Sequence, residues 1–260
     1  MRKNREIKVI FILLAVFFTV FLALPMIMVL GQSFTVDGQN GITFSNYAEH
    51  VRAVFEDNTL FGVYTNSLMV AVITALAGTL LSYGAALVTA RSTVSGKIKS
   101  AIESIALVTN TIPGMVIGLA YLFAFTGTSL QNTFAILIIC NIVHFFSTPY
   151  LMMKNSLSKM NASWETTAML MGDNWIKTIM RVVTPNAIST LLEIFSYYFV
   201  NAMVTVSAVI FLAGARTMVI TTKIKELQYF NKYNEIFVLS LLILLTNLIG
   251  REEFQSYYPN

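Results

Sequence analysis

Three long stretches of this chain carry no charge, and they decide what it can fold into. No Asp, Glu, Lys or Arg occurs from Val9 to Val36, from Asn58 to Ala90, or from Ser104 to Met153. A helix rises about 1.5 Å per residue, so roughly 20 apolar residues cross the hydrocarbon of a bilayer. Val9–Leu30 and Ser67–Ala90 each read as one span. The third stretch is too long for one span, and "GTSLQN" (Gly127–Asn132) divides it into Ile105–Phe125 and Thr133–Met153. Two more spans are read at Ile188–Leu212 and Tyr233–Phe254. The last is the weakest, with a clean apolar core only over Ile236–Gly250, so it needs its flanking aromatics to reach both interfaces. The expected fold class is an all-α membrane protein with six transmembrane helices, forming a single domain over residues 1–260.

Composition agrees and removes other classes. The chain is 56% hydrophobic and 12% charged, whereas a soluble domain is about one-quarter charged, so lipid is its main solvent. One cysteine, Cys140, and two histidines, His50 and His144, exclude a disulfide framework and a zinc cluster. No Walker-type glycine loop appears, so the chain is not expected to bind ATP that way. Carboxylates are scattered, and no serine sits in a nucleophile elbow. Neither an enzyme constellation nor a cofactor site is therefore expected. The net charge of +4 comes from basic residues beside apolar spans rather than from a nucleic-acid surface. "MRKNREIK" could open a signal peptide. The apolar run after it is too long for a signal core and no small-x-small cleavage site follows, so a retained first helix is expected.

Basic residues also suggest an orientation. With six spans, Arg2, Lys3, Arg5, Lys8, Arg91, Lys97, Lys99, Lys154, Lys159, Lys177, Arg181 and Arg251 share the side of the termini. Arg52, Arg216, Lys223, Lys225 and Lys232 lie on the other. Twelve against five makes both termini cytoplasmic by expectation. The segment between spans four and five is then cytoplasmic too.

That segment contains "WETTAMLMGDNWIKTIMRVVTP", Trp164–Pro185. Asn161 or Ser163 can cap a first short helix, with Glu165 in its first turn, where a carboxylate suits the helix dipole. Gly172 permits a sharp turn at little steric cost. Asp173 or Asn174 can cap a second helix, on which Trp175, Ile176, Ile179, Met180 and Val183 fall on one face. Pro185 marks the entry to span five. A helix lying on anionic lipid accounts for the amphipathicity, but not for the glycine turn or the placed proline.

The stretch resembles the EAA loop of ABC importer permeases, the inner-membrane components of binding-protein-dependent transport. That pattern is Glu-Ala-Ala, three residues, Gly, then about a dozen residues to a hydrophobic-x-hydrophobic-Pro ending. Thr166-Thr167-Ala168 takes the first place, Gly172 follows at the family's spacing, and Val182-Val183-Thr184-Pro185 closes it. Two departures stand out. The family's glutamate position is Thr166, with Glu165 one residue early, and Thr184 replaces the usual leucine. "PMIMVLGQSF", "NYAEH", "TNSLMVAVITALAG" and "IPGMVIGLAYLFAF" resemble the same family in its six-helix form.

The resemblance implies a type I ABC importer (MetI-like) permease fold in the inner membrane. It implies a loop of Glu165, Thr166, Thr167, Ala168, Gly172 and Pro185 that docks into an ATPase subunit. A second permease subunit, identical or similar, and an extracytoplasmic substrate-binding protein complete the expected partners, with the lipid bilayer around them. The stretches "FVNAMVTVSAVIFLAGARTMVITTKIKELQYF" and "YNEIFVLSLLILLTNLI" are similar to permeases for 2-aminoethylphosphonate, whose relatives carry ferric iron, thiamine, polyamines or sulfate. A secondary transporter is the alternative of another class, but no internal inverted repeat is visible.

Polar groups at lipid depth are costly and often functional. Asn201 and Ser207 in span five either line the translocation path or bond between helices. Asn110, Asn141, His144 and Glu193 are further candidates. His144 is expected to be a packing group, Cys140 core, and Glu193 to reach water or Arg181. Gly114 and Gly118 after Pro113 form a small-xxx-small pair suited to close helix packing.

Overall fold

The computed structural model describes residues 2–33, 35–36, 39–42, 48, 51–52, 54–56 and 58–256. It is helical apart from one antiparallel hairpin, β1 (Thr35–Val36) against β2 (Gln39–Ile42). The all-α expectation holds at the level of fold class, with this short hairpin as the exception among the described residues.

The first apolar stretch is α1 (Arg2–Phe18), a π-helical turn (Thr19–Ala23) and α2 (Leu24–Ser33). Pro25 explains the wide turn. Its ring crowds the carbonyl four residues back and it offers no N–H, so the ladder slips just before it. The same device recurs at Ile179–Val183, directly ahead of Pro185.

α3 (Asn58–Arg91) is one unbroken helix, about 50 Å long at 1.5 Å per residue. It covers the whole of the expected second span. The next expected spans are broken. Residues 105–125 divide between α4 (Gly96–Val108) and α5 (Gly114–Phe125), with Pro113 as the cap that opens α5. Residues 133–153 divide between α6 (Phe134–His144) and α7 (Ser147–Lys159), bent by 54°. Pro149 sits in the first turn of α7, where its missing N–H costs nothing.

The expected helix over 188–212 is also corrected. α11 (Ile188–Val204) stops eight residues early, and the chain turns through Thr205–Ala208 into a single 3₁₀ turn, Val209–Phe211. α12 (Ile220–Tyr229) and α13 (Tyr233–Ser256) follow; α13 lies over the stretch read as the sixth span, and its apolar part is the shorter Glu235–Gly250. Among the described residues, two helices are long and apolar enough alone to cross a membrane. Two bent pairs qualify when each pair is taken together.

The chain divides into two compact units. One is Gly62–Lys223 with the chain from Thr246, and the other is the described part of Met1–Phe61 with Ile224–Leu245. In the second unit no side chain from Glu6 to Met28 is buried within the chain. Such an apolar surface suits lipid or another subunit. In the first unit, a row of small residues on α3 faces inward: Ala71, Ala75, Gly78, Ser82 and Ala86 are all buried. Small side chains let helices approach closely where no hydrophobic effect drives them together. At Gly78 the approach is by Tyr198 of α11, whose ring lies 2.7 Å from where a Cβ would stand. The Tyr198 hydroxyl pairs with Ser82 at 3.0 Å. Tyr150, Met153 and Leu157 of α7 with Ile194 and Met203 of α11 complete this core. A second core joins Ile117 of α5 and Ile136, Leu137 and Cys140 of α6 to Ala208, Val209 and Leu212.

Candidate functional site

The segment after α7 forms a helix, a glycine turn and a second helix, as its sequence predicts. Asn161 leads in, its Oδ1 accepting from the Ser163 N–H at 2.9 Å. α8 (Ser163–Leu170) follows. Its end is a Schellman closure: Gly172 N–H donates to Met169 O and Asp173 N–H to Ala168 O, each at 3.0 Å. This closure requires a left-handed residue just past the helix, and Gly172 has φ +83°. Asn174, rather than Asp173, then caps α9 (Trp175–Thr178), accepting from the Lys177 N–H at 2.8 Å. Asp173 instead pairs with Lys177 one turn on. The helix runs on through the π turn and α10 (Thr184–Asn186), then bends by 73° into α11.

The expected apolar face of the second helix divides in two. Ile179 and Val183 are buried beside Thr178, while Trp175, Ile176 and Met180 are exposed. The wider π turn at 179–183 rotates the helix faces, so a 3.6-residue period does not carry through it. Around Gly172 the exposure is more marked. Leu170 is 84% exposed and Met171 75%, with Met169 also outward. Water gives a turn no reason to present three consecutive large apolar side chains at its tip. An apolar tip on a capped turn suits burial against a partner or lipid.

The other residues of the expected loop divide by role. Thr166 and Thr167 are exposed, and the Thr167 hydroxyl bonds back to Ser163 O at 2.9 Å. Ala168 is buried beneath the turn, and Pro185 is exposed in α10. Glu165 is buried, and its Oε2 stands 3.4 Å from Nη1 of Arg91, the last residue of α3. In the sequence Arg91 is one basic residue beside an apolar span. The pairing joins residues far apart in the chain, and no local pattern signals it.

The intramembrane polar candidates separate as well. The Asn201 amide bonds to Tyr197 O in its own helix at 2.7 Å. Ser207 lies in the break after α11. Its Oγ and His144 Nε2 stand 2.5 and 2.9 Å from the point a Cβ on Gly114 would occupy. Three chain breaks therefore meet at one place, and glycine at 114 makes room for them. Asn141, one turn before His144, is buried with neither amide atom hydrogen-bonded. Gly118 has the backbone carbonyl of Ala208 2.2 Å from its Cβ position, which assigns it to packing. Glu193 is exposed. Between the first two expected spans, Arg52 and Glu56 form an exposed ion pair at 2.6 Å, whereas Tyr47, His50 and Asp57 lie outside the described residues. No group of three or more His, Cys, Asp or Glu suited to a metal occurs among the described residues.

Long apolar helices, bent apolar helix pairs and a capped amphipathic loop define the class of helical membrane proteins. Residues 78–251 match the family of binding-protein-dependent transport system inner membrane components, and the chain belongs to that family. It is 28% identical over 188 residues to the ferric transport system permease protein FbpB of Actinobacillus pleuropneumoniae. It is 30% identical over 195 residues to a putative ferric transport system permease protein of Haemophilus influenzae. These matches cover 70% and 72% of this chain but only 26% and 30% of the relatives' length.

Among solved structures, the fold is similar to a chain of a bacterial ABC transporter involved in the import of alginate. The TM-score is 0.75 and the identity 17%, over all of both chains. A chain of the bacterial alginate ABC transporter, in complex with its pentasaccharide-bound periplasmic protein, gives 0.78 at 15% identity. That match covers 98% of this chain and 94% of the other. The MetNI methionine ABC transporter in an inward-facing form gives 0.54 at 15%, over 84% of this chain and 100% of that one.

Proposed function

We propose that this chain is the permease subunit of an ATP-driven ABC importer and forms half of its translocation path. It crosses the membrane six times: through α1–α2, α3, α4–α5, α6–α7, α9–α11 and α13. Its partners are a second permease subunit, two ATPase subunits and an extracytoplasmic binding protein. The observation that carries this reading is the glycine-centred turn with Leu170 and Met171 held outward. Family membership supports it, as does similarity to transporter chains of the same fold. In this reading the loop enters a cleft on the ATPase, so closure of the ATPase dimer is transmitted to the broken helices. The reading is tested by purifying a tagged chain from membranes that also express an ABC ATPase subunit from the same genome. Stoichiometric copurification is expected, and purification of the chain alone contradicts it.

For the cargo, ferric iron leads, because both named relatives are ferric transport permeases. The resemblance of the stretch from Phe199 to Phe230 keeps 2-aminoethylphosphonate as a second reading. Deleting the gene separates them. Loss of radioactive iron uptake with normal growth on the phosphonate supports iron, and the reverse supports the phosphonate.

A further inference from the structure

The loop is fastened at both ends to one helix, and the fasteners are the two residues that depart from the family pattern. At its start, Glu165 meets Arg91, the side chains 11% and 6% exposed. At its end, Thr184 Oγ1 lies 2.6 Å from the Tyr83 hydroxyl. Thr184 gives its one hydroxyl proton to Ile179 O at 2.9 Å, so Tyr83 is the donor to Thr184. Tyr83 and Arg91 are eight residues apart on α3, about 12 Å along its axis. A single attachment would let the loop swivel, but two attachments on one rigid helix do not. α3 is tied onward to α7 by the Tyr150 hydroxyl, which donates to Thr89 Oγ1 at 3.0 Å.

The ionic fastener is unusual in its chemistry. At 3.4 Å it is longer than the 2.7–2.9 Å of a charge-assisted hydrogen bond. The buried Arg91 Nε and Nη2 and both Glu165 oxygens have no hydrogen-bond partner. A buried pair held this way adds little stability, yet losing one partner strands a charge.

We infer that α3 is the output element of the loop, and that Arg91 and Tyr83 are positioning residues that convert loop displacement into movement of α3. This rests on the ATPase-docking reading. Glu165 is engaged inward with Arg91, so the surface left for the ATPase is the apolar tip rather than the carboxylate.

The test uses the permease reconstituted in nanodiscs with its ATPase and binding protein. Arg91→Glu and Glu165→Arg should each keep ATPase copurification and lose binding-protein-stimulated ATP turnover by about 5- to 150-fold, the usual range of coupling between two sites. The double exchange should restore it. Arg91→Lys, which keeps the charge, should retain most of it. Single variants with unchanged stimulation, or a double exchange that fails to rescue with the ATPase still bound, overturn the inference. A second measurement leaves the fasteners intact: spin labels at the exposed Val94 and Asn186 report the distance from the end of α3 to the end of the loop. That distance should be equal in nucleotide-free and ATP-trapped states, and a change between them overturns the inference even where the charge variants do not fold. Absence of ATPase copurification by the unmodified chain strikes the docking reading instead.

Discussion

Gly172→Val separates the loop's backbone from its surface. The residue has φ +83°, and a Cβ added there would find nothing within 4 Å. Crowding inside the chain therefore contributes nothing, and the whole cost is conformational. Holding an L-residue in the left-handed region costs roughly 1–2 kcal/mol, which shifts a two-state population by about 5–30-fold. The valine relaxes by leaving that region, and the hydrogen bonds to Met169 and Ala168 open with it. Leu170 and Met171 then lose their fixed direction, while the buried helices around α3 and α11 are untouched. The expected result is normal membrane insertion and a thermal midpoint close to that of the unmodified chain, with stimulated ATP turnover reduced by a similar 5–30-fold. Gly172→Asn should lose less, because asparagine tolerates the left-handed region better. Normal stimulated turnover in Gly172→Val would refute the reasoning and leave a lipid-surface helix as the better account of the loop.

Three further outcomes are expected. Gly118→Val drives a side chain into the Ala208 carbonyl, 2.2 Å from its first atom. Overpacking of this kind costs about 1–3 kcal/mol or more, read as loss of the monodisperse peak on size-exclusion chromatography. Tyr198→Phe removes the bond to Ser82 and should lower stability by about 1 kcal/mol, seen as a small fall in thermal midpoint with the Gly78 contact kept. In intact cells an impermeant thiol reagent should label Tyr229→Cys and spare Ser158→Cys, with little background from Cys140, which is buried; the opposite pattern reverses the orientation drawn from the basic residues.

The apolar helical stretches were legible because lipid excludes charge, and absence of charge is a one-dimensional signal; among the described residues two of them, Glu6–Met28 and Thr59–Arg91, are single helices long enough to cross a membrane. The turn at Gly172 was legible for a similar reason: glycine at a helix end, followed by a capping asparagine, is a local grammar. The break after Val204 was not. "TVSA" contains neither glycine nor proline, and the break is held from afar. The Thr221 hydroxyl donates to Thr205 O at 2.9 Å, and Ser67 Oγ accepts from the Ile220 N–H at 2.6 Å. Gly118 admits the Ala208 carbonyl. Proline disturbs a helix, but nothing local at Pro25 or Pro185 shows that the disturbance takes the form of a wider turn. The pairing of Glu165 with Arg91 belongs to the same long-range class, which is why the displaced glutamate read as a blemish in the motif rather than as a fastener.

The central claim is that the tip at Leu170 and Met171 contacts an ATPase. A photoreactive amino acid at Leu170, irradiated in native membranes, tests it most directly. The account predicts an adduct of this chain with the ATPase subunit, strong at Leu170 and absent from the equally exposed Tyr229. Adducts formed only with lipid at Leu170, with the ATPase present in the same membranes, would contradict it.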